Sequence, residues 1–254
     1  MSHHIVAVKN LRHTFPDGTV AIKDISFTIT HGESVGIIGA NGAGKSTLLH
    51  HLNGTLTPSG GSITIGDFPV TKETLPSIRR TVGMVFQNPD DQLFMPTVYD
   101  DVAFGPLNLG LREEALEQSV GTALAAVGAE TLRLKPPYHL SGGEKKRVAI
   151  ATVLAMSPDI LVMDEPTSGL DPHARRQVMH LLAAFSHTRI ITSHDLDMVL
   201  ELCPRVIVLH EGAIVADGPA IELFNDTALL EHCRLEQPLS MQGCGYCRKL
   251  AHTR

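Results

Sequence analysis

No stretch of this 254-residue sequence approaches the ~18 consecutive apolar residues that cross a bilayer; residues 148–156 fall far short. The first residues lack the long apolar core of a secretory signal, so none is expected. Positive charge is not in excess either. Lys and Arg number 21 against 27 Asp and Glu, the formal net charge is −6, and the cations are scattered. That argues against a surface that wraps nucleic acid, and no nucleic-acid partner is expected. Cysteine is scarce, with four residues. Cys203, in Leu200-Glu-Leu-Cys-Pro, reads as a small core residue. Cys233, Cys244 and Cys247 crowd the C-terminus, and structural disulfides are not expected of them in a reducing compartment. No repeat of solenoid type is present. What remains is an ordinary globular composition, 43% hydrophobic and 19% charged, long enough for one large α/β domain or two small ones.

The most informative stretch is Gly39-Ala-Asn-Gly-Ala-Gly44-Lys45-Ser46-Thr47, which fits G-x-x-x-x-G-K-[ST]. Ser34-Val-Gly-Ile-Ile38 before it reads as a short buried strand, and Leu48-Leu49-His-His-Leu52 after it has helical apolar spacing. Strand, glycine loop and helix is the context that lets backbone N–H groups and a positive helix end meet phosphate. The glycines allow close approach of the backbone, Lys45 would hold the β- and γ-phosphates, and Ser46 would ligate Mg²⁺. A nucleoside triphosphate is the expected ligand, which also points to the cytoplasm.

Ile5-Val-Ala-Val and Ile25-Ser-Phe-Thr-Ile alternate around the turn Pro16-Asp17-Gly18 and predict antiparallel strands. Pro58-Ser-Gly-Gly61 leads into the strand Ser62-Ile-Thr-Ile65, and residues 81–86 form another. Residues 88–155 carry little strand signal and predict an inserted helical subdomain; within it, apolar residues at 115, 116, 120, 123, 124 and 127 keep a helical period. Strands are expected at 159–163, 189–192 and 205–209, and a helix at 175–185. The alternation predicts an α/β fold, a mainly parallel sheet with an N-terminal antiparallel subdomain. Residues 1–225 form the main domain and 226–254 an aperiodic tail. His50 and His51, in the helix after the glycine loop, are expected at a partly exposed surface.

Asp159-Ile-Leu-Val-Met-Asp164-Glu165 ends a buried strand on two carboxylates. Asp164 suits orientation of Mg²⁺ and Glu165 suits polarising a water, although a solvated turn before Pro166 would use the same residues. Leu140-Ser141-Gly142-Gly143-Glu144 reads locally as a capping box, with Ser141 as N-cap and Glu144 three residues on. Its free N–H groups also make an anion site. One nucleotide could then be held between two chains that meet head to tail.

In this order the motifs resemble the nucleotide-binding subunit of ABC transporters: the P-loop, Gln87, the signature at 140–144, Asp164-Glu165, Ser168-Gly-Leu-Asp171 and His194. The resemblance covers residues 5 to about 220 and implies a P-loop NTPase (RecA-like) fold with ATP and Mg²⁺ as ligands. It implies Glu165 as catalytic base, His194 at the γ-phosphate, and Gln87 sensing Mg²⁺ and the attacking water. Phe15 would stack on adenine, next to the loop residues Gly39, Asn41, Gly42, Ala43, Gly44, Lys45, Ser46 and Thr47. Ser141, Gly142 and Gly143 would bind the ATP of the partner's P-loop, and Asp171 would lie in the loop that crosses the dimer. Two positions depart from the family pattern. Glu144 stands where Gln is usual and, ionised, cannot donate a hydrogen bond. Phe15 stands where Tyr is common and keeps only the ring.

Residues 86–110, Phe-Gln-Asn-Pro-Asp-Asp-Gln-Leu-Phe-Met-Pro-Thr-Val-Tyr-Asp-Asp-Val-Ala-Phe-Gly-Pro-Leu-Asn-Leu-Gly, closely resemble ATPases of energy-coupling factor importers, most of all the cobalt and nickel uptake subunits. The sequence 140–147 is also similar to theirs. The resemblance implies a peripheral subunit at the cytoplasmic face of the cell membrane. Its partners would be a second ATPase copy, simplest as a homodimer, a transmembrane coupling protein and a substrate-binding membrane component. A vitamin cargo stays open. Leu93, Phe94, Met95, Val98 and Phe104 are expected as an exposed patch that could receive an amphipathic helix. A non-transport ABC ATPase of DNA repair or translation is the rival reading, but such chains carry coiled-coil insertions or duplicated domains. In the tail, Cys244-Gly-Tyr-Cys247 with His252 has ligand chemistry for a soft or borderline metal, and a metal-binding regulatory role for it is a further alternative.

Overall fold

The computed structural model describes residues 6–243, and two sheets organise them. β1 (Val6–Thr14) and β2 (Val20–Ile29) pair antiparallel, with Val6 opposite Ile29 and Val8 opposite Phe27. Alternation turns Val8, Leu11, Ile25, Phe27 and Ile29 inward. β3 (Ser34–Ile38) is buried along its whole length, and so it reads as a continuous apolar run. It leads into α1 (Lys45–Leu52). β4 (Gly60–Ile65) returns to β1, and β5 (Phe68–Pro69) closes the four-stranded sheet β2-β1-β4-β5. α2 (Leu75–Thr81), which has no clear periodic signal, precedes β6 (Val82–Val85).

Residues 88–155 contain no strand. They hold α3 (Val98–Asn108), α4 (Glu113–Ala126) and α5 (Gly142–Leu154), which pack on one another, and three short 3-10 turns. The apolar period of α4 becomes a buried face of Val120, Ala123 and Leu124, continued by Val127 just past its end, whereas Ala115 is exposed. β7 (Ile160–Asp164), α6 (Pro172–Ala184), β8 (Thr188–Thr192), α7 (Leu196–Leu202), β9 (Arg205–His210) and β10 (Ala213–Pro219) follow. The larger sheet has the order β10-β9-β3-β8-β7-β6. Its neighbours are parallel except β10, which turns back antiparallel on β9.

Two cores result. One lies between the sheets and takes in Leu48, Leu49 and Leu52 of α1; burying one such leucine contributes about 2 kcal/mol. The other lies under α3–α7 and includes Cys203, as its sequence context predicts. Close packing between α7 and β3 requires Gly36, because a Cβ there would come within 2.6 Å of Val199 Cγ1.

Three expectations are corrected. His51 is fully buried rather than at the surface, because α1 is covered on both sides, and His50 is half-buried. Residues from 226 onward, expected as an aperiodic tail, form α9 (Thr227–His232) behind α8 (Ala220–Asn225). The reason is apolar burial: Leu230 and Cys233 enter the core, a spacing too short to stand out as a period. The segment at 93–104 is only partly exposed. Phe94 and Phe104 face outward, but Leu93 and Val98 are buried under the helices. Among the described residues no helix is long and apolar enough to cross a membrane.

Candidate functional site

The C-terminal ends of parallel strands deliver the predicted residues to one edge of the larger sheet, the usual place for a ligand in such folds. β3 runs into the glycine loop, β6 ends just before Gln87, β7 ends at Asp164, and β8 ends two residues before His194. A cleft of about 510 Å³ gathers Phe15, residues 41–47, Gln87, Asp164, Glu165 and His194. Thr19, Val20 and Ala21, from the β1–β2 turn and the start of β2, complete its wall; sequence reasoning missed them because nothing in that turn is chemically distinctive.

The loop turns by means of glycine. Gly44 caps α1 with φ 102, and a Cβ there would meet the Ala21 carbonyl oxygen at 2.7 Å. Lys45 is buried and folded back, its Nζ donating to the carbonyls of Gly39 at 2.8 Å and Ala40 at 3.2 Å. Burial pushes its ammonium below the usual lysine range, against the pull of Glu165 and Asp164. Ser46 is exposed at the cleft.

Opposite the loop, Thr192 donates its hydroxyl to Asp164 Oδ1 at 2.6 Å. Glu165 sits in the left-handed region at φ 47, a conformation that costs a non-glycine residue about 1–3 kcal/mol. Its Oε2 accepts from the Ser193 hydroxyl at 3.3 Å and the His194 backbone N–H at 3.1 Å. Its Oε1 is buried, has no hydrogen-bond partner, and lies 3.5 Å from His194 Nε2. A carboxylate with one oxygen clamped and the other unsatisfied toward a cleft is suited to take a proton from water. Thr192 and Ser193 were not foreseen, because their roles depend on β8 lying beside β7.

The remaining predicted residues lie elsewhere. Ser141, Gly142, Gly143 and Asp171 take no part in the walls of the cleft. Gly142 lines a separate cavity of about 210 Å³ together with Ser168, Gly169 and Leu170. Ser141 caps α5 in the capping box read from the sequence: its N–H and hydroxyl donate to Glu144 Oε2, each at 2.8 Å, and its Oγ accepts the Glu144 N–H at 3.3 Å. The Ser141 backbone N–H holds the Glu144 carboxyl below its ordinary range. Asp171 caps α6, accepting from the N–H groups of His173 and Ala174 at 2.9 Å. Cys244, Cys247 and His252 lie outside the described residues; among the described residues no group of three or more His, Cys, Asp or Glu could hold a metal.

This arrangement is shared. Residues 22–168 match the ABC transporter family. A protein of Geobacter sulfurreducens, named only provisionally as an ABC transporter ATP-binding protein, is 68% identical over 97% of this chain and 99% of its own length. The energy-coupling factor transporter ATP-binding protein EcfA of Methanocaldococcus jannaschii is 49% identical over 92% of this chain and 86% of its own. Among solved structures, CbiO1 of Clostridium perfringens, part of the ABC transporter complex CbiONQ, superposes with a TM-score of 0.79 at 41% identity, covering 91% of this chain and 94% of that one. With the P-loop cleft and the P-loop NTPase fold both in place, the chain belongs to the ABC transporter ATPases, as an ATP-binding subunit of the energy-coupling factor type.

Proposed function

We propose that this ATPase energises import of a divalent transition metal, cobalt or nickel, from the cytoplasmic face of the cell membrane. The reading of the cargo rests on residues 86–110, which resemble the cobalt and nickel uptake subunits most closely. One observation carries the coupling to a membrane partner. Beside Gln87 runs an apolar groove of about 550 Å³, lined by Phe86, Phe94, Phe104 and Met156 and edged by Arg79 and Arg80. Phe94 is 64% and Phe104 44% exposed, and their rings meet edge to face at 5.1 Å. A helix of a transmembrane coupling protein would bury them, and the cargo would be chosen by a separate membrane component.

ATP would lie on the backbone of residues 41–47 with its adenine on Phe15 and its phosphates at Lys45. Because Ser141, Gly142 and Gly143 stand apart from their own cleft, they would complete the site of a second copy, giving a head-to-tail homodimer. The donor set of Ser46, Gln87 and Asp164 is all oxygen, the chemistry Mg²⁺ prefers, and Asp164 is already oriented by Thr192. When bound, Mg²⁺ would neutralise phosphate charge. Glu165 would accept the proton of a water attacking the γ-phosphorus in line, releasing ADP and phosphate, while His194 contacts the γ-phosphate. Hydrolysis would reopen the dimer.

Co-purification of the intact membrane complex, followed by metal analysis and uptake assays with cobalt, nickel and vitamins, tests the reading. ATP-dependent accumulation of a vitamin, with no response to either metal, would replace the cargo while leaving the ATPase in place.

A further inference from the structure

Helix α5, which begins with the signature residues, is fastened to the segment that carries Gln87. Lys146 is 1% exposed, and its Nζ donates to the carbonyls of Phe86 at 3.2 Å and Gln87 at 2.8 Å. Gln92 adds to the seam: its Oε1 accepts the Phe86 N–H at 3.1 Å, and its Nε2 donates to the Ala149 carbonyl at 2.8 Å and to Thr152 Oγ1 at 2.7 Å. Lys145 pairs with Asp90 at 2.6 Å nearer the surface.

Lys146 is the unusual member. Burial pushes its ammonium down to about 8, with Asp164 and Glu165 pulling the other way. Among the described residues it has no ion-pair partner. An apolar side chain would fill this position without the desolvation cost of a buried charge. What the charge supplies is a directed bond to two consecutive backbone carbonyls at the end of β6. Lys146 stands five residues from Ser141, about 7 Å along one rigid helix.

We infer that Lys146 is a positioning residue: it ties the backbone of Gln87 to the signature helix, so that a pull on residues 141–143 by the ATP of the opposite copy is delivered to Gln87. The inference rests on the reading of Gln87 and residues 141–143 given above. Lys146 touches neither ATP nor water. It fixes where Gln87 stands when the dimer closes.

The test uses the full-length ATPase with steady-state kinetics and ATP affinity measured side by side. Lys146→Met should keep ATP affinity within about 2-fold, because the P-loop is untouched, and lower kcat about 10-fold or more through misplacement of Gln87. Lys146→Arg, which keeps donors for both carbonyls, should recover much of the loss. Gln87→Ala combined with Lys146→Met should be no slower than Gln87→Ala alone. If Lys146→Met does not fold, Lys146→Gln carries the same comparisons. Wild-type kcat in Lys146→Met, or losses that multiply in the double variant, would overturn the inference. Failure of the underlying reading looks different, since Gln87→Ala by itself would then turn over at the wild-type rate.

Discussion

Lys45 Nζ and His194 Nε2 stand 3.2 Å apart across the nucleotide cleft, and Glu165 lies on the far side of the same imidazole. The loop lysine, the β8-end histidine and the β7-end carboxylate therefore form one connected set. Glu165 is the member whose free oxygen faces the cleft, so Glu165→Gln removes the proton acceptor while keeping size and the Oε2 contacts. A loss of about 100-fold or more in kcat is expected, with ATP binding retained and an ATP-dependent dimer on size-exclusion chromatography. Normal steady-state hydrolysis by this variant would remove Glu165 as the base.

Lys45→Ala acts on binding. Its ammonium now satisfies two loop carbonyls, and a triphosphate would recruit the same donors in charge-assisted bonds. Without it, ATP affinity should fall about 10- to 100-fold, the cost of one or two such bonds. Titration with a fluorescent ATP analogue measures this directly, and unchanged affinity would refute the assignment.

How much of this was legible in the sequence depends on how local each cause is. The glycine loop, the carboxylate pair after β7 and the Ser141–Glu144 capping box are contiguous, and their chemistry follows from residue order alone. Thr192, Ser193 and Lys146 act only because β8 lies beside β7 and α5 crosses the end of β6, pairings that no spacing encodes. The exposed patch at 93–104 was half right for a related reason. Composition shows that a segment is apolar, whereas the turn of α3 decides that Phe94 and Phe104 face out while Val98 faces in. His51 was misread because its polarity suggests a surface, although α1 is sandwiched between sheets.

Phe94 and Phe104 separate docking from catalysis. Phe94→Asp or Phe104→Asp adds a charge to the proposed groove at exposed positions, so the fold should tolerate either change to within about 1 kcal/mol. ATP affinity and basal hydrolysis of the free ATPase should persist, while co-purification with the membrane components falls sharply. Retention of the complex in both variants would move the membrane contact to another face.

His51 links the core to pH. Burial is the first cause holding its imidazole at about 4, below the ordinary 6.5, with His13 adding repulsion; its Nδ1 meets the Leu56 carbonyl at 3.0 Å. The unfolded chain therefore binds this proton more readily than the folded one between those two values. Stability from neutral His51 is complete above about pH 6.5 and declines as pH falls toward 4, by up to about 3 kcal/mol in all. Denaturant unfolding of the wild type should weaken from pH 7 to pH 5. In His51→Asn, which offers a neutral amide near the Leu56 carbonyl, that decline should be shallower by about 1–2 kcal/mol over the same interval. Parallel pH profiles for the two proteins would show that His51 titrates normally despite its burial.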